Sequence, residues 1–265
     1  MERIRFAPLF SGSSGNAALL EAGDAHILVD AGMPARSIER AFHSVGRCCS
    51  QVNALLITHE HVDHICGAGA LCRKYGIPVY ANAATWEAME DKLGKIPPHA
   101  VRVFETGRGF CIKGVEVLPF KTPHDAAESV GYAFSANGRR VVTMTDIGHV
   151  DESLIDIAAG CDLVLIESNH DVDMLKAGPY PYPLKRRILS EVGHLSNVSA
   201  GAALAEFFAR GVKSAILGHL SRENNYAPLA LATVRAILCE QQVPEGEFQL
   251  VVARRERPTG VFIVE

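Results

Sequence analysis

The segment THEHVDH, from Thr58 to His64, places four potential metal ligands within six residues: His59, His61, Asp63 and His64. It directly follows Ala54–Ile57, an apolar run that predicts a buried strand. These four side chains cannot share one face of a helix, whereas a loop that leaves a strand can spread them around two ions. Imidazole and carboxylate groups bind zinc, manganese or iron. The alternative is a histidine-rich polar loop at the surface, which this spacing disfavours.

Three more residues of metal-binding type follow other apolar runs: His124 in KTPHD, Asp146 in MTDIG and His219 in ILGHLS. Loops at strand ends converge on binding sites in layered α/β folds. Any one of these side chains alone is equally well explained as an ordinary polar loop residue. Together with THEHVDH, the three residues predict a metal site assembled from several loops.

The tetrapeptide GHLS occurs twice, and its two histidines have different surroundings. His219 follows an apolar run, as a metal ligand would. His194 follows the basic segment PYPLKRRILSEV and precedes Ser196 and Asn197, either of which can cap the predicted helix Val198–Ala209. The N–H groups at such a helix end favour an anion. We therefore predict that His194, Ser196 and Asn197 contact the substrate, with a capping or core histidine as the alternative for His194.

Two other segments contain candidate substrate contacts. The turn SGSSGN supplies Ser13, Ser14 and Asn16, and glycine-rich turns present backbone N–H groups to phosphates. An ordinary hairpin turn explains it equally well. His170 in ESNHD follows the predicted strand Asp162–Ile166, and it either contacts the substrate or forms a hydrogen bond within its loop.

A basic and aromatic segment precedes His194. Lys185, Arg186 and Arg187 are suited to phosphate contacts, and Tyr180 and Tyr182 are suited to stacking on bases. Solvated helix charges and tyrosines that pack the loop are the alternatives.

The remaining sequence alternates short apolar runs with segments of helical period. The predicted strands are Arg3–Phe10, Ala17–Glu21, His26–Val29, Asn53–Ile57, Pro78–Tyr80, Val101–Phe104, Val115–Phe120, Val130–Ser135, Arg140–Thr145, Asp162–Ile166, Ser214–Leu217, Phe248–Val252 and Gly260–Val264. The predicted helices are Pro34–Val45, Ile65–Tyr75, Ala83–Leu93, Glu152–Ala159, Leu184–Val192, Val198–Ala209 and Pro228–Cys239. Two sets of strands with helices outside them predict an α/β class, a four-layered α/β/β/α sandwich. No low-complexity linker divides the chain, so one domain over residues 1–265 is expected.

Composition restricts the function classes. The 265 residues are 48% hydrophobic, which is enough for a large core. There is no apolar stretch long enough to cross a membrane and no signal-peptide core, so a cytoplasmic protein is expected. The seven cysteines include no CxxC pair, which disfavours a disulfide framework and a zinc ribbon. The net charge of −4 argues against a broad basic surface but not against nucleic acid, because bound metals add local positive charge.

These motifs resemble the metallo-β-lactamase superfamily of hydrolases, and the resemblance spans nearly the whole chain. It implies that His59, His61 and His124 hold one metal, that Asp63, His64 and His219 hold a second, and that Asp146 bridges them. Asp30 in VDAG would orient a ligand without binding metal, as carboxylates next to metal ligands commonly do. The implied cofactors are two divalent ions: zinc, manganese or iron.

Hydrolysis is the chemistry expected of such a site. Two neighbouring metals lower the pKa of a shared water to near neutrality, so that it attacks as hydroxide. The catalytic residues would then be Asp63, Asp146 and His194. Asp63 is either a ligand or a carrier of the proton from this water, and its spacing does not separate the two roles.

Four segments resemble the small bacterial branch called YycJ or WalJ: SGSSGNA, ESNHD, GPYPYPLKRRILSEVGHLSN and GHLSRENN. This resemblance implies a 5′-to-3′ DNA exonuclease with a role in DNA repair. The region from His194 to His219 also resembles the nuclease branch that includes ribonuclease Z, in which such a histidine contacts phosphate or protonates the leaving oxygen. Two alternatives stay open: a hydrolase of small esters, thioesters or lactones on the same fold, and a metal-bound regulatory protein without catalysis.

Overall fold

The computed structural model describes residues 3–244, 246 and 248–265. Its strands are β1 (Ile4–Phe10), β2 (Ala17–Ala22), β3 (Ala25–Val29), β4 (Ala54–Leu56), β5 (Val79–Asn82), β6 (Val101–Phe104), β7 (Phe110–Ile112), β8 (Val115–Lys121), β9 (Val130–Ala136), β10 (Arg139–Met144), β11 (Leu163–Glu167), β12 (Ser214–Gly218), β13 (Gln249–Val252) and β14 (Phe262–Val264). Its helices are α1 (Ala35–Ser44), α2 (Val62–Ile65), α3 (Ala68–Tyr75), α4 (Ala83–Leu93), α5 (Glu152–Ala158), α6 (Val172–Ala177), α7 (Tyr182–Ile188), α8 (Asn197–Ala209) and α9 (Ala227–Glu240).

The chain divides into two compact units. The first contains the chain up to Lys121 together with Ala126–Arg139 and Arg254–Glu265. The second contains Thr122–Asp125 and Arg140–Ala253. The single domain over residues 1–265 stays a prediction.

The first unit contains a seven-stranded mixed sheet in the order β14-β1-β2-β3-β4-β5-β6. Strands β14 to β3 are antiparallel, and β3 to β6 are parallel. The carboxyl ends of parallel strands meet at one edge of a sheet. The edge formed by β3 and β4 therefore brings Asp30 next to the start of THEHVDH, and the Asp30 N–H donates to the Leu56 carbonyl at 2.8 Å.

Strands β7, β8 and β9 of the same unit form an antiparallel ladder. Tyr132 in β9 is fully buried, and its hydroxyl donates to the Ile57 carbonyl at 2.5 Å. Burial raises the pKa of Tyr132 well above its ordinary value, so the hydroxyl keeps its proton and remains a donor. This bond fixes the end of β4 immediately before the histidine motif.

The second unit contains four parallel strands, β10, β11, β12 and β13, which pair in that order. Strands β11 and β12 consist almost entirely of buried residues, as parallel strands covered by helices do. Asp146 and His219 follow the carboxyl ends of β10 and β12, and Glu167 is the last residue of β11. One sheet edge therefore collects three potential ligands.

Some helix boundaries differ from the sequence-based predictions. The predicted helix Ile65–Tyr75 is two helices, α2 and α3, and between them the Gly67 N–H donates to the Ala31 carbonyl at 2.7 Å and not to a helical partner. The predicted helix Leu184–Val192 is α7, which ends at Ile188. The short elements β7 and α6 had not been predicted. Within the described residues, no helix combines the length and the apolar character that crossing a bilayer requires.

Candidate metal and substrate sites

In the first unit, Asp30 anchors both ends of the histidine motif. Its buried carboxylate accepts hydrogen bonds from the Thr58 backbone N–H at 2.8 Å and the Thr58 hydroxyl at 2.9 Å. The same carboxylate lies 2.7 Å from Nδ1 of His64. Asp30 has φ 58°, a left-handed conformation that aspartate tolerates better than most residues. The contact between the Asp30 carboxylate and Nδ1 fixes the orientation of the His64 ring.

His59 and His61 present ring nitrogens to each other in this unit. Nε2 of His59 lies 3.1 Å from Nδ1 of His61, and Nδ1 of His59 lies 3.0 Å from the Thr58 hydroxyl. The His59 and His64 ring centroids are 4.1 Å apart. The half-buried Asp63 carboxylate lies 3.7 Å from Nε2 of His64. The loop therefore gathers His59, His61, Asp63 and His64, as the spacing predicted.

The turn SGSSGN packs against this loop through Asn16. The Asn16 backbone N–H donates to the Asp63 carbonyl at 2.8 Å, and its side-chain nitrogen lies 3.1 Å from Nε2 of His64. Ser13 and Ser14 are exposed, so they are accessible to a ligand. Asn16 is buried and holds the motif in place, a supporting role that sequence reasoning had not assigned to it.

In the second unit, four side chains form a compact cluster: Asp146, Glu167, His194 and His219. One potential ligand atom of each lies within 4.8 Å of the others. Oε1 of Glu167 accepts hydrogen bonds from Nδ1 of His194 at 2.8 Å and from Nδ1 of His219 at 2.7 Å. Its other oxygen accepts the Ile147 backbone N–H at 2.7 Å. Glu167 is fully buried and therefore depends on these donors.

Glu167, which lies in ESNHD, is a site residue that the motif spacing does not predict. The available signal was its position, because it is the one charged residue of the buried strand LVLIE and stands at that strand's carboxyl end. A charged side chain in such a place requires a partner.

The charges in this cluster are mutually stabilising. Burial alone would raise the pKa of Glu167, but the two histidines hold this pKa well below its usual range. Burial alone would lower the pKa of His194, but the neighbouring Glu167 carboxylate raises it above its ordinary value. Glu167 therefore favours the protonated form of His194, which is the state that a general acid requires.

His124 faces the same cluster from the loop after β8. Its Nδ1 lies 3.1 Å from the Gly193 carbonyl oxygen, and its Nε2 lies 3.8 Å from Oδ1 of Asp146. Burial lowers the pKa of His124, so the ring is neutral near neutral pH. A neutral imidazole is the form that binds metal.

The histidine orientations fit metal binding. Nδ1 of His64, His124 and His219 each faces a protein oxygen, which directs Nε2 to the opposite side of the ring. Metal-binding histidines have this arrangement, in which the second nitrogen holds the ring through a carboxylate or carbonyl. Together with the imidazole and carboxylate donors of each unit, this arrangement suits the binding of divalent metal.

A buried amide network holds the backbone around His219. The Asn169 side chain donates to the His219 carbonyl at 3.0 Å, and His219 has φ 54°. The Asn225 side chain donates to the backbone carbonyls of Ser168 and Asn169 and to Asn197 Oδ1 at 2.8 to 3.1 Å. Asn197, predicted as a substrate contact, is fully buried within this network. Its contact with substrate stays a prediction.

The start of α8 confirms the predicted capping. The Ser196 hydroxyl accepts the Ser199 backbone N–H at 3.1 Å, so Ser196 is the N-cap. His170 lies beside it, because the Asn197 N–H donates to the His170 carbonyl at 2.9 Å. The His170 ring is buried without a hydrogen-bond partner for either nitrogen, and burial lowers its pKa to about 4.

The basic cluster on α7 is partly committed to structural contacts. Arg187 forms a two-point ion pair with Asp125, and the Lys185 ammonium donates to the Lys176 carbonyl at 2.6 Å. Arg186 and Tyr182 are exposed, whereas Tyr180 is half-buried. The part of the cluster best placed for phosphate contacts is therefore Arg186.

Comparison with known proteins places the chain in a family. The family model for the beta-lactamase superfamily domain matches residues 25–220. Exodeoxyribonuclease YycJ of Bacillus anthracis is 40% identical over 262 residues, covering 98% of this chain and 99% of that protein. Exodeoxyribonuclease WalJ of Streptococcus pneumoniae serotype 2 (strain D39 / NCTC 7466) is 40% identical over 245 residues, covering 92% and 91%.

Solved structures give the same fold. The metallo-beta-lactamase fold protein YhfI from Bacillus subtilis matches with a TM-score of 0.75 at 17% identity, covering 98% of this chain and 99% of that one. The predicted α/β sandwich is confirmed by this likeness. This protein belongs to the metallo-β-lactamase superfamily of hydrolases.

Proposed function

We propose that this protein is a metal-dependent phosphodiesterase that degrades DNA from its 5′ end. The observation that carries the proposal is the 40% identity, over nearly the full length of both chains, to a protein named as an exodeoxyribonuclease. The contact between His194 and buried Glu167 supports it, because the carboxylate favours the protonated histidine and cleavage of a phosphodiester requires a proton for the departing oxygen.

The proposed cofactors are two divalent ions, zinc, manganese or iron, and the proposed domain organisation is a single domain over residues 1–265. His59, His61 and His124 would hold one ion, Asp63, His64 and His219 the other, and Asp146 would bridge them. Asp30 would orient His64 without binding metal, as its 2.7 Å contact with Nδ1 allows. When bound, such a metal pair lowers the pKa of water so that hydroxide is available at neutral pH.

The protein's own residues would move the protons and hold the strand. His194 would donate its proton to the departing 3′-oxygen, and Glu167 would keep the ring oriented and charged. Asp63, whose side chain is 26% exposed, would accept the proton of the attacking water. The proposed substrate contacts are Ser13, Ser14, Asn16, His170, His194, Ser196 and Asn197.

The proposed setting is DNA repair in the cytoplasm, with DNA as the partner and no membrane involved. Its support is the resemblance to nucleases that act on DNA.

The experiment is digestion of a 5′-phosphorylated DNA duplex labelled at one end and in its interior, with manganese and separately with zinc. Wild type should release mononucleotides stepwise from the 5′ end. Asp146→Asn should abolish release while leaving the circular dichroism spectrum unchanged. Asp173→Asn, an exposed carboxylate on α6, is the control and should retain activity. Cleavage of small esters, thioesters or lactones without release of nucleotides would contradict the proposal.

A further inference from the structure

Three arginines lie close together in the segment that precedes β14. Arg254, Arg255 and Arg257 flank the single carboxylate of Glu256, so three positive charges meet one negative charge in a chain whose net charge is −4. Arg254 and Arg257 are exposed, and Arg255 is half-buried. Within residues 3–244, 246 and 248–265, the guanidinium groups of Arg254 and Arg257 form no ion pair. The first unit therefore offers two positive charges here that are accessible to a ligand.

The arginine loop, residues 254–259, is fixed to β1. The Thr259 N–H donates to the Pro8 carbonyl at 3.0 Å, and the Thr259 hydroxyl accepts the Arg254 N–H at 2.9 Å. Pro258 restricts the backbone before Thr259, because its ring fixes φ. Val261, which follows the loop, packs against the hydrophobic core. The loop is thus closed on itself and anchored to the sheet.

The arginine loop lies at the same edge of the sheet as the histidine motif. Strand β14 is antiparallel to β1, so the residues before β14 lie beside the carboxyl end of β1. Strands β1 and β3 are both antiparallel to β2, and β4 is parallel to β3, so β1, β3 and β4 point in the same direction. Their carboxyl ends lead into SGSSGN, VDAG and THEHVDH respectively. Along this edge, the turn SGSSGN therefore lies between the arginine loop and the histidine motif.

The length of this edge corresponds to several nucleotides. Four strand intervals separate β14 from β4, and a spacing of about 4.8 Å between neighbouring strands gives roughly 19 Å. Duplex DNA advances about 3.4 Å per base pair, so this span equals about five or six base pairs. The exposed residues Ser13 and Ser14 lie within it, on the turn after β1. A DNA strand that reaches the motif along this edge would also reach the arginine loop.

The charges at this edge suit the phosphate backbone. A guanidinium group presents a planar set of N–H donors that matches phosphate. Glu256 is the only carboxylate of the arginine loop, and it leaves the loop positively charged. The Asp30 carboxylate at the same edge is buried and bound to Thr58 and His64, so it adds no exposed negative charge. Phosphates placed along the edge would therefore meet cations at the loop.

We propose that Arg254 and Arg257 bind phosphates of the DNA at about five or six base pairs from the bond that is cleaved. Phosphate contacts carry no sequence information and let a protein move along DNA. The arginine loop would therefore retain DNA of any sequence between successive cleavages. This inference rests on the proposed nuclease function, and it adds a contact region on the uncleaved part of the substrate.

The test compares wild type with R254Q/R257Q, which removes two charges, and R254K/R257K, which keeps them. Fluorescence anisotropy measures the Kd for a duplex of about 30 base pairs in the manganese-loaded protein, with Asp146→Asn added to each so that the DNA is not cleaved. R254Q/R257Q should raise Kd at least about tenfold at roughly 0.1 M salt and reduce the slope of log Kd against log salt concentration by about 2. R254K/R257K should keep the wild-type slope.

A 5′-phosphorylated dinucleotide tests the cleavage site alone, because it is too short to reach the arginine loop. With Asp146 restored, R254Q/R257Q should cleave the dinucleotide at the wild-type rate and hold the wild-type amount of manganese. On the long duplex, it should release fewer nucleotides per binding event than wild type does. An equal loss of activity on the dinucleotide would overturn the inference, since the substitutions would then act at the cleavage site.

The matched control is R3Q/R40Q, which removes the same number of positive charges from the first unit. Arg3 is exposed at the opposite end of β1 and pairs with Glu265, and Arg40 is exposed on α1. This variant should bind the duplex with the wild-type Kd and salt slope. An unchanged Kd and slope in R254Q/R257Q would overturn the inference, as would an equal weakening in R3Q/R40Q. Wild type that binds the duplex but releases no nucleotides would instead overturn the proposed function, while the binding measurements would still decide the inference.

Discussion

At the scale of single residues, Glu167 determines the state of two histidines. Its Oε1 accepts hydrogen bonds from both His194 and His219, while the Ile147 N–H holds its other oxygen. Glu167 therefore orients both His219, a candidate metal ligand, and His194, a candidate proton donor. A neutral amide in its place would keep the shape and remove the charge.

We expect Glu167→Gln to lower kcat on DNA by about a hundredfold or more, the usual contribution of a general acid. The raised pKa of His194 depends on Glu167, so the loss of activity at high pH should begin at a lower pH in the variant. A pH profile of kcat measures this shift. Glu116→Gln, on an exposed position of β8, is the control, and an unchanged profile in Glu167→Gln would contradict the assignment.

His170 should make stability depend on pH. Burial lowers its pKa to about 4, below the ordinary value of 6.5, so the unfolded chain binds more protons than the folded one between these values. His170 therefore leaves the free energy of unfolding unchanged above pH 6.5 and lowers it as the pH falls from 6.5 toward 4. From pH 7 to 5 the metal-free wild type should lose about 2 kcal/mol more than His170→Gln. Urea unfolding at both pH values measures the difference, and parallel losses would contradict it.

At the scale of elements, the loop of the histidine motif fits against the strand end that precedes α1. The Gly32 N–H donates to the Asn16 carbonyl at 2.8 Å, and a side chain at Gly32 would lie 1.6 Å from the Asp63 carbonyl oxygen. No rotamer change relieves a collision with backbone. The motif loop and the VDAG loop can be neighbours only because residue 32 is glycine.

We expect Gly32→Ala to displace the motif loop, lower metal affinity by at least about tenfold and destabilise the fold by roughly 2 kcal/mol. Metal titration by calorimetry and urea unfolding measure the two effects. Gly109→Ala is the matched control, because its nearest neighbour would be at an ordinary 3.7 Å. Equal metal affinity in the two variants would contradict this prediction.

The elements also show what the sequence could predict. The long strands and helices α1, α4 and α8 follow from periodicity and apolar runs, and their expected bounds lie close to the observed ones. Helix α6 has six residues and depends on the Asp171 cap, so it is too short for a periodic signal. At the interruption between α2 and α3, the Gly67 N–H donates to the Ala31 carbonyl, a contact with a distant segment that local sequence does not encode.

The residues of the candidate site likewise include some that the sequence predicts and others that it does not. The side chains of THEHVDH were predicted because their spacing is unusual, and the structure brings them together in the first unit. Glu167 and the amide network of Asn169 and Asn225 were missed as site features because their roles come from pairing between strand ends. The spacing of residues along one segment does not reveal which strand ends lie next to each other.

At the scale of the whole molecule, metal should contribute to stability. Both units bury histidines and carboxylates that suit divalent ions, and a ligand that binds only the folded state stabilises it by mass action. Adding manganese at about one hundred times its Kd should stabilise the metal-free protein by roughly 3 kcal/mol. Thermal unfolding before and after EDTA measures this effect. Asp146→Asn should show a smaller shift, and identical melting temperatures with and without metal would contradict metal binding.

Three non-glycine residues with left-handed backbone, Asp30, Asp146 and His219, each lie within two residues of a strand end near the candidate ligands. Glycine adopts this conformation without a steric penalty. Glycine would therefore relax the backbone at positions 146 and 219, but it would also remove the His219 donor on which the buried Glu167 carboxylate depends and the candidate metal ligand Asp146. A library selected only for heat resistance should accordingly keep Asp146 and His219 and gain its stability elsewhere.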